Sequence, residues 1–165
     1  MGLFNRAAGD PRRGRQKNQQ RLVNADFGLT ADVVCAAGAY VVVGTYTVPF
    51  GMLAAWGADD TAGTAQRAGQ PAYIRFDSSG GQMAGSIRLV VTDPQRVNFI
   101  RIMEERTERW SASQTDRTLA LLLPENGVLV QPQSKMEIWF KADSAATLVY
   151  NDADTLIRVP VTVYI

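Results

Sequence analysis

Ile157-Arg158-Val159-Pro160-Val161-Thr162-Val163-Tyr164-Ile165 alternates apolar side chains with polar or amphipathic ones, without a break. Successive side chains of a strand point to opposite faces, so this spacing predicts one buried row: Ile157, Val159, Val161, Val163 and Ile165. Such a terminal segment needs a sheet to hold it. The same period of two recurs at Ile87, Leu89 and Val91, at Leu119, Leu121 and Leu123, and at Met136, Ile138 and Phe140. The chain is expected to be all-β.

Working outward, turn residues divide the rest into short pieces. Ala72–Asp77 reads as a strand, and Ser78-Ser79-Gly80-Gly81 as a tight turn into Met83–Thr92, because glycines supply the positive φ of a hairpin loop. Asp93-Pro94 makes another turn before a strand over Val97–Glu104. Pro124-Glu125-Asn126-Gly127 separates Thr118–Leu123 from Val128–Val130. Lys135–Lys141 and Thr147–Tyr150 follow. That gives about eight to ten short strands with turns every 8 to 12 residues, the cue for an antiparallel β-sandwich or barrel. Arg101–Ser111 alone carries helical amphipathicity beyond two turns, and reads as a strand edge or a helical insertion.

At 165 residues the chain suits one domain, able to bury roughly two-thirds of the surface its unfolded form exposes. Its 46% hydrophobic and 20% charged residues are ordinary for a globular protein. The net charge of +1 hides an asymmetry. Residues 1–21 carry six cations (Arg6, Arg12, Arg13, Arg15, Lys17 and Arg21) against Asp10, a local +5, and the remainder is −4. The expected organisation is a basic N-terminal arm over residues 1–24, with a short helix over Arg15–Asn24, and a β-sandwich over 25–165. Cations so clustered can neutralise phosphates irrespective of sequence. The anionic surfaces they suit are packaged nucleic acid, lipid headgroups or an acidic neighbouring subunit. Phe4 is the arm's lone aromatic, so stacking on single-stranded bases is not expected.

Val33 to Ala58 contains no charged residue and is long enough to cross a bilayer. Its glycines and Pro49 cut it into pieces rich in Val, Tyr and Thr, which predicts strands at Ala39–Val43, Thr45–Val48 and Met52–Trp56 instead. No apolar run follows the N-terminal basic residues as a secretory signal requires. The lone Cys35 rules out an internal disulfide and reads as a small core residue.

Histidine is absent, which removes the commonest general base, the commonest metal ligand and every Ser-His or Cys-His arrangement. One cysteine cannot build a zinc site. Asp152 and Asp154 resemble the start of a calcium loop, but the later Gly and Glu are missing. Asp59-Asp60 and Glu104-Glu105 are adjacent pairs, and neighbours on a strand face opposite ways. No catalytic residue, metal, cofactor or small-molecule substrate is expected. The dense mixed charge from Arg101 and Glu104 through Arg106 and Arg109, beside Trp110, reads as a solvated face or as a subunit interface; Trp139, on the side of its strand opposite Ile138 and Phe140, is either covered by a second layer or offered to a partner. Arg and Trp are enriched at interfaces.

A basic arm, a compact β-body, no histidine and a terminal strand together resemble the single jelly-roll proteins of icosahedral virions. The likeness is greatest to the small capsid proteins of prokaryotic viruses, including those that build a shell over an internal membrane. The resemblance implies a structural protein found in the virion and assembled in the host cytoplasm. Its partners would be copies of itself and other virion proteins, with the arm reaching inward or across. A decoration protein on a head of another fold, and a glycan- or peptide-binding module using Trp56, Trp110 or Trp139, remain alternatives.

Overall fold

The computed structural model of the chain describes residues 14–49, 53–56, 71–92, 99–107, 119–122, 128–150 and 156–165. Every regular element among them is a strand apart from a single 3-10 residue at Thr107. In chain order these are β1 (Lys17–Val23), β2 (Val33–Cys35), β3 (Tyr40–Thr47), β4 (Leu53–Trp56), β5 (Pro71–Arg75), β6 (Asp77–Ser78) and β7 (Gly81–Gln82). Then come β8 (Gly85–Thr92), β9 (Phe99–Arg106), β10 (Leu119–Leu122), β11 (Val128–Val130), β12 (Lys135–Ala142), β13 (Ala146–Leu148) and β14 (Leu156–Tyr164).

Three antiparallel sheets result. One has the order β10-β5-β14-β4-β11, with β1 also on β14; the second is β3-β12-β8-β9; the third, small, is β2-β13-β6-β7. Registers explain why the first holds more strands than a jelly roll needs. β1 pairs with β14 from Arg158 to Tyr164, while β5 takes Leu156–Arg158 and β4 takes Thr162–Tyr164 on the other edge. β10 and β11 lie outside β5 and β4 at the same two levels. So β4 and β5 form one interrupted course along β14, and β10 with β11 forms another. Among the described residues the two large sheets then have four courses each. In chain order their sequence is first-eighth-third-sixth in one and second-seventh-fourth-fifth in the other, the connectivity of a jelly roll.

Two prolines fall at the interruption. Gln16 and Ile165 exchange N–H to carbonyl bonds, which aims the N–H groups of alternate residues (165, 163, 161, 159) at β1. Pro160 therefore faces the β4/β5 edge, and extending the registers puts Pro71 opposite it and Trp56 opposite Val161. A rung made by two prolines has no N–H donor on either side, so the ladder carries no N–H to carbonyl bond at that level. β4 ends at Trp56 and β5 begins at Pro71, beside that rung. In the neighbouring course β10 ends at Leu122 and β11 begins at Val128, at the same level.

Inward residues of both large sheets merge into one core. Ile87, Leu89, Met136, Ile138 and Phe140 from one side meet Ile74, Ile157, Val159, Val161 and Val163 from the other, each 3% exposed or less. Phe76 meets Phe140 edge-on with ring centroids 5.0 Å apart. Aromatic pairs of this kind contribute about 1 kcal/mol beyond area burial. The small sheet is built from the connections between β1 and β3, β5 and β8, and β12 and β14, and closes one end of the sandwich.

Several expectations are corrected. Lys17–Val23 is neither helix nor arm: it is a strand bonded along β14, with Leu22 2% exposed in the core. The arm boundary expected at residue 24 therefore falls beyond a strand of the sandwich. Gly44 does not make a turn. It lies inside β3 because Phe27 packs over it, where any Cβ would strike the Phe27 side chain. Ile165, expected in the buried row, is 54% exposed, so the row ends at Val163. Phe99–Arg106 is strand, not helical insertion. The uncharged block from Val33 falls in strands over Val33–Cys35, Tyr40–Thr47 and Leu53–Trp56. Among the described residues no helix is long and apolar enough to cross a membrane.

Candidate subunit interface

On the sheet β3-β12-β8-β9, residues between the core positions point outward. Register aligns Val42, Trp139, Arg88 and Glu104 in one line across all four strands, with Tyr40, Lys141, Ser86 and Arg106 in the next. A register shift between Ile138 and Trp139 lets Val43 turn into the core while Val42 stays outside.

These side chains form a network. The Tyr40 hydroxyl donates to Glu104 Oε1 at 2.7 Å, reaching from one edge strand to the other. Arg88 Nε donates to Glu104 Oε2 at 2.8 Å, and the Arg88 guanidinium stacks 3.8 Å from the Tyr40 ring centroid. The Lys141 ammonium lies 5.0 Å from the same centroid. Such cation–π contacts contribute about 0.5–1 kcal/mol at exposed sites. Trp139 tilts against Tyr40 at 6.3 Å and donates its indole N–H to Glu137 Oε2 at 2.8 Å. The Glu137 carboxylate also accepts from Thr92 Oγ1 at 3.1 Å. Burial first, then the bond to Glu104 and that carboxylate's charge, push the Tyr40 phenol above its ordinary value of 10.0; Arg88 opposes them. Val90 lies on this side of β8 yet is 0% exposed, so the face has depth beneath its polar layer.

At one end Arg106 forks onto Asp143 through two bonds, 2.8 and 2.5 Å, tying the edge strand β9 to the turn after β12. Beneath this clamp the Gly85 N–H donates to Thr107 Oγ1 in a buried bond of 2.9 Å. Gly85 is required there, because a Cβ would collide with the Lys141 carbonyl and the Phe140 ring.

Of the interface residues expected from sequence, Trp139 and Arg106 fall on this one face, in adjacent lines. Arg109 and Trp110 lie outside the described residues, as do Arg6, Arg12, Arg13, Asp59-Asp60, Asp152 and Asp154. Arg15 is half-buried just before β1, and Lys17 and Arg21 contribute backbone to that strand. Cys35 sits in the core at 1% exposure. Among the described residues no group of three or more His, Cys, Asp or Glu could hold a metal ion. Sequence reasoning placed Glu104 in the same charged run as Arg106 but missed Tyr40, Val42, Arg88, Glu137 and Lys141 as members of a common surface. Taking the complementary parity of β8 and β12 would have flagged Arg88, Glu137 and Lys141. Nothing short of register joins them to Tyr40.

The jelly-roll resemblance expected from sequence holds in three dimensions. VP17, a capsid protein of bacteriophage P23-77, matches with a TM-score of 0.57 at 10% identity, covering 90% of this chain and 96% of that one. The VP16–VP17 complex, formed by the two major capsid proteins of the same phage, matches at 0.57 and 10% identity, covering 91% and 100%. At such identity the likeness is one of fold. No protein-family model matches the sequence, and no curated protein does.

Proposed function

We propose that this chain is a shell subunit of an icosahedral virion, a structural protein and not an enzyme. The observation that carries the reading is the eight-course jelly roll, which this chain shares with phage capsid proteins over nine-tenths of its length. The lack of histidine in the sequence supports a non-catalytic role. Its partners are copies of itself and other virion proteins. VP16 and VP17 form such a complex, which supports a second shell protein as partner. The outward face carrying Trp139 and Arg106 is the surface offered to neighbours. The basic residues Arg6, Arg12, Arg13 and Arg15 contact an anionic surface in the assembled particle.

The full chain, purified alone and together with the other virion proteins, is to be followed by light scattering and electron microscopy at rising salt. Particles, shells or ordered sheets are expected. A strict monomer under every condition, including mixtures, overturns the reading.

A further inference from the structure

The outward face of β3-β12-β8-β9 differs from a merely solvated surface in three respects. First, it has an apolar island: Val42 is 44% exposed, beside the half-buried Trp139 and Tyr40. Isolated exposed valines are common, but this one shares its line with an indole. Second, charges of both signs surround the island: Arg88, Lys141 and the exposed Lys135 against Glu104 and Glu137. Third, the large side chains are already held. Tyr40, Arg88 and Trp139 each carry a hydrogen bond within the face, so docking freezes few rotamers.

We infer that this face is a two-fold contact, and that its occupant is a second copy of the same chain. Charge decides the occupant. Nucleic acid and anionic lipid present one sign of charge and select a surface of the other sign. A face with cations and carboxylates interleaved is complementary to another face of its own kind. In a two-fold contact each patch meets its own copy, so an exposed valine near the axis meets the partner's valine, and rim charges find opposite signs. An apolar centre within a polar rim is the usual anatomy of such contacts. This deepens the shell reading by naming one contact, and it can be tested without any particle.

The test uses the full chain, by sedimentation and by oxidative crosslinking. The parent is expected to dimerise reversibly. Val42→Arg is expected to weaken that dimer by about tenfold or more, while melting within about 2 °C of the parent because the site is half-exposed. Lys141→Glu at the rim is expected to act in the same direction with a smaller effect. Val42→Cys is expected to give a covalent dimer on oxidation, since Cys35 is buried and only the new thiol is accessible. A parent that stays monomeric at every concentration overturns the inference. So does a dimer indifferent to Val42→Arg, or one that Val42→Arg abolishes but Val42→Cys fails to crosslink. Particle formation is scored separately. A Val42-dependent dimer that never builds particles upholds the contact and sinks the shell; particles from a chain indifferent to Val42 do the reverse.

Discussion

Strand β12 carries two chemistries on alternate residues. Met136, Ile138, Phe140 and Ala142 point inward and are 1% exposed or less, while Glu137, Trp139 and Lys141 point outward and are half-buried. The inward row needs only to be apolar and of fitting volume; each large side chain it buries contributes about 1.5–3 kcal/mol, with no demand on which neighbour it meets. The outward row works through named partners. Glu137 serves Trp139 and Thr92, and Lys141 and Arg88 attend Tyr40. One side of the strand is generic and makes the fold; the other is specific and makes the surface.

The sharpest way to break this contrast is to place a charge inside. Ile138→Asp is expected to leave no folded protein by circular dichroism, since an unpaired buried carboxylate costs more than about 4 kcal/mol. A cooperative melt would mean that the inner row is not a dry core. Gly85→Ala tests the place where β8 passes closest to β12. The new methyl meets the Lys141 backbone carbonyl, which cannot move aside as a side chain can, and a loss of about 3 kcal/mol in urea unfolding is expected.

The outer face should respond more weakly and with a pH signature. Tyr40→Phe removes one hydrogen bond to a carboxylate on a partly exposed surface, worth about 1 kcal/mol. The Tyr40 phenol is raised above 10.0, so the fold favours its protonated form. That contribution is complete below the unfolded value and is lost as pH rises through the higher folded one. The parent should therefore lose stability more steeply than Tyr40→Phe across that alkaline interval. Tyr46, raised by its own burial and by Asp26, keeps its share in both proteins. Identical alkaline limbs would remove Tyr40 from the network.

The smallest effect has the opposite sign. Gln133 adopts φ 63° in the turn closed by Ser134 N–H to the Gln131 carbonyl. Left-handed backbone is costly for a residue with a Cβ, so Gln133→Gly is expected to raise stability by about 0.5 kcal/mol. This turn joins β11 to β12 and lies on neither face, so the contrast predicts no change in dimerisation. A change there would show that the turn positions the outer surface.

The same contrast explains what the sequence made legible. The inward rows of β8, β12 and β14 follow from a period of two, which local order alone produces. β1 escaped notice because Lys-Asn-Gln-Gln-Arg has no apolar rhythm; its strand is held by backbone bonds, with Leu22 in the core cluster. Gly44 looked like a turn because the residue that demands it, Phe27, is distant in sequence. The outer network was invisible for a similar reason: Tyr40 and Glu104 are 64 residues apart and meet only when four strands take one register. Pro160 fitted the alternation perfectly, and nothing local tells that the extended register sets it opposite Pro71.

That proline rung has an architectural corollary. Any peptide spliced between Trp56 and Pro71 begins and finishes on neighbouring steps of the ladder, so its closure entropy grows only with the logarithm of its length. A peptide joined at these two steps can therefore be lengthened, shortened or exchanged while β4, β5 and β14 keep their bonds. A graft at this splice, of a tag or a whole foreign domain, should leave the melting temperature nearly where it began.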